Sequence, residues 1–209
     1  MNLYTSPKRI FQGARIAVVT CLLTISPYSS ALRVIPSNPD WEEHRSELVQ
    51  LDTYTASGKL HFSNRYEERS LRFTLSQAPN STELVVKHQL FGNVLRWRAS
   101  EEGTEVKVIF SKAQATSEPE ELVKSLTGIN IPITELPEWI KGLPTSVDGF
   151  GLNNDKTLAL SVKILDGDLW IVEYAEYFGS GETELPLPRR INLEQGGNYI
   201  ELEIDTWSI

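Results

Sequence analysis

Cysteine is almost missing from this sequence: Cys21 is the only one in 209 residues. That excludes an intrachain disulfide framework, a cysteine zinc cluster and a CxxC redox motif. Histidine is scarce as well, and His44, His61 and His88 stand too far apart to form a ligand motif. Positive charge is the minority sign, with 20 Lys and Arg against 28 Asp and Glu. Three of those cations, Lys8, Arg9 and Arg15, lie in the first 31 residues, which hold no acid, so the remainder carries a formal −11. A body this acidic suits polyanions poorly, because nucleic-acid affinity rests on Lys and Arg neutralising phosphates. No apolar run approaches the ~18 residues that mark a membrane-spanning helix. Nor is there a Walker loop, a GxGxxG turn, a GxSxG elbow or an HExxH pair. The chain is nonetheless 40% hydrophobic, enough to bury a core and unlike a disordered segment.

What is present begins with a leader. Lys8, Arg9 and Arg15 precede the apolar run Ile16–Ile25, and small residues follow as far as Ala31. A basic region, a ten-residue apolar stretch and small residues make a secretory signal over residues 1–31. As a helix that stretch rises roughly 15 Å, half of the ~30 Å hydrocarbon core of a bilayer. Two cuts are open. Ser29 and Ala31 offer small residues at −3 and −1 for cleavage after Ala31, while Val18-Val19-Thr20 before Cys21 spells a degraded lipobox.

Residues 32–209 read as one domain. Asn38 can cap a helix with Pro39 at its first position, and Trp41, His44, Leu48 and Leu51 recur at helical spacing. From Tyr54 the period falls to two, through Leu60 and Phe62, Leu71, Phe73 and Leu75, Leu84–Lys87, Leu95 and Trp97, then Val106, Val108 and Phe110. Short alternating runs with tight turns predict an antiparallel meander. Two helices interrupt it. Ser117 and Glu120 spell a capping box before Leu122, Val123 and Leu126, and Thr134 can cap a shorter helix holding Leu136, Trp139 and Ile140. Strands resume with Leu158, Leu160 and Val162 leading to a hairpin turn at Asp166-Gly167, then Trp170, Val172 and Tyr174, Ile191–Leu193 and Tyr199–Ile204. The sum is about ten or eleven strands and three helices.

Catalytic chemistry is hard to assemble from these residues. The three histidines read as solvated surface groups, and the Glu pairs at 42–43, 67–68, 101–102 and 120–121 fall at caps and turns. The conclusion is a non-enzyme without a metal or cofactor. Leu90 and Phe91 are more informative, standing side by side between two strands on a polar background. Adjacent strand residues face opposite ways, so at a hairpin tip one of the two is hard to bury. Exposed, they mark a membrane or partner contact; alternatively Leu90 ends one strand and Phe91 opens the next, both in the core.

In order along the chain, several stretches resemble the LolB family of outer-membrane lipoprotein receptors. They are Trp41-His44-Leu48-Leu51 with Gly58, then Leu126-Thr127-Gly128, Ile131-Pro132, Leu136, Trp139 and Gly142-Leu143-Pro144. Trp170, Tyr174 and Tyr177, Leu185-Pro186, Ile191-Asn192-Leu193 and Trp207 follow. The resemblance implies a mainly β fold, an incomplete antiparallel β-barrel closed by helices around an apolar cavity. It implies a receptor that accepts acylated lipoproteins from the periplasmic carrier LolA and places them in the outer membrane, without a nucleotide. It also implies a protruding apolar loop for membrane contact, matched by Leu90 or Phe91, and lipidation at Cys21. The inward-facing candidates for an acyl cavity are then Leu60, Phe62, Leu71, Phe73, Leu95, Trp97, Val106 and Val108, with Trp139 and Ile140 from the helical side. The expected partners are LolA, acyl chains and outer-membrane phospholipid, with no nucleic acid and the chain a monomer. The alternative is an unanchored periplasmic carrier of lipid or another small hydrophobic ligand. Two departures mark this chain: Thr20 is bulky for a lipobox, and the loop reads Gln89-Leu90-Phe91-Gly92 where the family commonly has Pro-Leu-Gly.

Overall fold

The structure, a computed structural model, describes residues 39–108, 112, 114–127, 131–165, 167–179 and 185–209. The leader with both cleavage points, Cys21, the Asn38 cap, Phe110, Gly128 and Asp166 lie outside the described residues. Helix α1 (Pro39–Gln50) carries Asp40 and Glu42 in its first turn, where acids complement the helix dipole. Its 3–4 spacing buries Trp41 and Leu48, the latter against Leu143 and Leu187. His44 is half-buried rather than solvated, with its ring 5.9 Å from that of Trp41. Burial lowers its pKa, against the opposing pull of Glu47 and Asp155.

Six strands follow: β1 (Tyr54–Ser63), β2 (Glu68–Ala78), β3 (Ser81–His88), β4 (Gly92–Ser100), β5 (Gly103–Val108) and β6 (Gln114–Ala115). Helices α2 (Pro119–Thr127) and α3 (Leu136–Ile140) come next, then β7 (Gly149–Leu152), β8 (Leu158–Leu165), β9 (Asp168–Tyr177), β10 (Pro188–Gln195) and β11 (Asn198–Ser208). The strands form one antiparallel sheet in the order β6-β5-β4-β3-β2-β1-β11-β10-β9-β8-β7. The sheet does not close on itself. Its edges are the short β6 and β7, and the two helices that join them in sequence pack onto its inner face. This is the incomplete barrel with a helical cover that the family resemblance implies.

Sequence periodicity selects which residues face inward. Tyr54, Ala56 and Phe62 of β1, Phe73 and Leu75 of β2, Leu84 and Val86 of β3, and Leu95 and Trp97 of β4 are buried in alternation. β8 departs from the predicted alternation. Gly151 pairs with Leu160 and Leu152 with Leu158, so Ala159 is an extra residue on the strand. Such a bulge flips every later side chain to the other face. Leu158 and Ser161 are therefore buried, while Leu160 is 39% exposed.

The helical side is tied down by polar anchors. The Tyr54 hydroxyl donates to the Pro137 carbonyl at 2.5 Å and the Tyr174 hydroxyl to the Trp139 carbonyl at 2.9 Å. The first bond gives the Pro137 carbonyl a donor from outside the five-residue helix, and the second adds a side-chain donor to a Trp139 carbonyl that also accepts the Gly142 N–H. Burial raises the pKa of both phenols well above the usual range, keeping them protonated donors. Lys141, only 2% exposed, donates to the Leu51 carbonyl at 3.1 Å and pairs with Glu138 at 3.3 Å. Capping differs from the sequence expectation. The N-cap of α3 is Glu135 without a side-chain cap bond. Thr134 instead donates its N–H and its hydroxyl to Glu120, so the Glu120 carboxylate bridges α2 to the segment before α3.

Candidate apolar cavity and exposed hairpin tip

On its inner face the curved sheet encloses a concavity of about 740 Å³, within the ~300–1,000 Å³ common for small-ligand sites. Its wall is aliphatic and aromatic. β1 gives Leu60 and Phe62, β2 gives Leu71 and Phe73, β3 gives Leu84 and Val86, and β4 and β5 give Leu95 and Val108. Leu193, Ile200 and Leu202 come from β10 and β11, with Ile131 and Leu136 from the helical side. Polar side chains, Glu68, Arg69, Ser70 and His88, enter the lining only where β2 begins and β3 ends, next to Phe91. Such a space takes up extended apolar groups and keeps polar ones at its mouth. Among the described residues, no group of three or more His, Cys, Asp or Glu is placed to hold a metal ion.

Of the ten side chains picked from the sequence, Leu60, Phe62, Leu71, Phe73, Leu95 and Val108 reach this wall. Trp97, Val106, Trp139 and Ile140 do not; they are at most 2% exposed and fill the solid core. Leu84, Val86, Leu193, Ile200 and Leu202 were missed although they alternate on strands already recognised. Val94 had no signal of this kind. Val86 pairs with Leu95 and Lys87 with Asn93, so Val94 is a bulge residue, and consecutive Val94 and Leu95 both line the cavity.

The same bulge stands next to the hairpin tip. β3 ends at His88 and β4 begins at Gly92, whose φ of 71° closes the turn. Leu90 is 80% and Phe91 64% exposed, so neither continues a strand into the core. His88 braces the turn: its Nδ1 accepts the Leu90 N–H at 3.1 Å, and its ring lies 4.8 Å from that of Phe91. Leu90 is the outermost side chain, while Phe91 leans back over the cavity lining.

The family model described as "Outer membrane lipoprotein LolB" matches residues 52–207, the whole sheet and both inner helices. The chain belongs to the LolB family. Outer-membrane lipoprotein LolB of Vibrio cholerae is 30% identical over 176 residues, 83% of this chain and 86% of that protein. LolB of Vibrio atlanticus is 27% identical across 94% and 99% of the two chains. LolB of Yersinia pseudotuberculosis is 28% identical across 96% and 95%. A solved LolA superfamily protein from Nitrosomonas europaea shares the fold, with a TM-score of 0.52 at 10% identity over 82% of this chain and 92% of that one. Membership of LolB makes this an outer-membrane protein. No helix among the described residues is long and apolar enough to cross a membrane.

Proposed function

We propose that this LolB-family chain is an outer-membrane lipoprotein receptor that takes acyl chains from the periplasmic carrier LolA into the concavity and releases them into the bilayer. The observation that carries the reading is the joining of an apolar concavity to an exposed Leu90–Phe91 tip at one mouth. An acyl chain in water costs ~0.8 kcal/mol per CH₂, so a lipoprotein needs apolar cover throughout its transfer. The wall supplies that cover and the tip brings the mouth to the membrane. Transfer without nucleotide then runs down a gradient of affinity, from carrier to receptor to bilayer.

Cys21 is the proposed lipid anchor. The Yersinia relative, a lipoprotein by name, matches 96% of this chain, which leaves too few unmatched residues to exclude the leader. A mature chain that begins at Leu32 and stays in the soluble periplasm would replace the receptor with an unanchored carrier.

The test separates acceptance from delivery. A lipoprotein loaded on LolA is mixed with the protein, and capture is followed by co-purification and delivery by flotation with vesicles. Leu71→Asp places a charge on a half-buried part of the wall and is expected to weaken capture at least about tenfold, since an unpaired charge is costly in apolar surroundings. Leu90→Asp, outside the cavity lining, should leave capture intact and reduce delivery. Undiminished capture by Leu71→Asp would sink the cavity reading.

A further inference from the structure

Antiparallel register sorts the hairpins onto two ends of the sheet. Ser63 pairs with both Glu68 and Tyr199, His88 with Gly92, Leu165 with Asp168 and Gln195 with Asn198. The β1–β2, β3–β4, β8–β9 and β10–β11 connections therefore leave the sheet at one end. The β2–β3, β4–β5 and β7–β8 connections leave at the other.

The turns at the two ends differ in chemistry. Tyr66 (80% exposed), Leu90, Phe91, Ile164 (59%), Leu169 (52%) and Tyr199 (36%) all sit within three residues of the first set of turns. Single exposed apolar residues scattered over a surface need no explanation, but a set gathered at one end does. The turns of the other end present Asn80, Glu101, Glu102, Asn153, Asn154 and Asp155. Ile164 and Leu169 are direct cross-strand partners, so the β8–β9 hairpin carries an aliphatic pair on its outer side. That pair stands far from the Leu90–Phe91 tip. From β3 to β9 is five steps along the sheet, about 24 Å at ~4.8 Å per strand.

We propose that the whole strand-end rim docks flat on the phospholipid bilayer, with Ile164 and Leu169 of the β8–β9 hairpin as a second insertion point beside the Leu90–Phe91 tip. This rests on the membrane-delivery reading above and extends it from one loop to a surface. A bilayer is broad enough to cover four separate tips at once. The cavity lining reaches the same end at Glu68, Arg69, Ser70 and His88, so a docked rim sets the mouth against lipid. Tyrosine is a residue of the membrane–water boundary, and the rim holds Tyr66 and Tyr199. The Arg65 guanidinium lies over the Tyr66 ring at 4.8 Å, a planar cation suited to a lipid phosphate.

Hydrogen exchange of the full-length protein, with and without phosphatidylethanolamine–phosphatidylglycerol vesicles, tests the proposal. The expected result is slowed exchange at 64–67, 89–91, 164–169 and 196–199, with 79–80, 101–102 and 153–156 unchanged. Ile164→Asp with Leu169→Asp should abolish the slowing at 164–169 and preserve it at 89–91, while exchange in the core strands reports that the variant is folded. Slowing confined to 89–91 would overturn the rim and leave delivery through the single tip standing. No slowing anywhere would overturn both. Slowing of the rim by LolA but not by vesicles would make it a protein-docking surface and overturn the proposal.

Discussion

Tyr174 shows how much a single hydroxyl can hold. Its ring packs inside the barrel, and its O–H is a second donor to the Trp139 carbonyl, which already accepts the Gly142 N–H at the end of α3. Removing the hydroxyl deletes one buried hydrogen bond but leaves the Trp139 carbonyl paired with the Gly142 N–H at 2.9 Å, so the loss is that of a single net hydrogen bond. Tyr174→Phe should therefore cost about 0.5–1.5 kcal/mol in chemical denaturation. Tyr66→Phe, which changes an exposed phenol, should melt like the unsubstituted protein. Equal stability of the two variants would mean that the clasp contributes nothing. From sequence, Tyr174 could be placed on an inward face, but its acceptor lies 35 residues away on another element, beyond the reach of periodicity.

Most strands could be read from the sequence because one face is buried and the other wet, so burial prints a period of two onto the chain. That holds for β2 and β3, and for Leu95 and Trp97 of β4, where the inward residues alternate. It fails at bulges, whose extra residue is set by the partner strand. Val94 departs from alternation for that reason, and Leu160 turns outward although Leu158, two residues before it, is buried. The capping error at Thr134 has a different origin: local spelling favoured a cap, but the Glu120 carboxylate fourteen residues earlier competes for the same donors. The β8 bulge can be tested directly. Leu158→Ala empties a fully buried site and should cost about 2–5 kcal/mol. Leu160→Ser, two residues on, should stay within about 0.5 kcal/mol because its side chain faces solvent. Strict alternation expects the two substitutions to cost alike.

Across the molecule, the chain folds as two runs of strands that meet only once. β1 to β6 and β7 to β11 are each sequential meanders, and β1·β11 is the one ladder between them among the described residues. That seam joins distant parts of the chain: Ser57 and Thr206 share a hydroxyl hydrogen bond of 2.8 Å across 149 residues. Ordering so long a loop before its contacts form is slow, so closing the seam is expected to be a late event in folding. Gly58 stands where the seam shifts register, pairing with Ile204 after Ser57 has paired with Thr206. A methyl group at Gly58 would overlap the Glu203 carbonyl, and a backbone atom inside a ladder cannot rotate away as a side chain can. Gly58→Ala therefore has to displace β11 from β1 and should cost about 3 kcal/mol or more, the upper part of the usual range for overpacking. Exchange would show where the damage lies: faster amides on both β1 and β11, with β3·β4 and β8·β9 less affected. Native-like exchange along β1 and β11, with full stability, would mean that the seam accommodates the methyl and that Gly58 is not what sets its register.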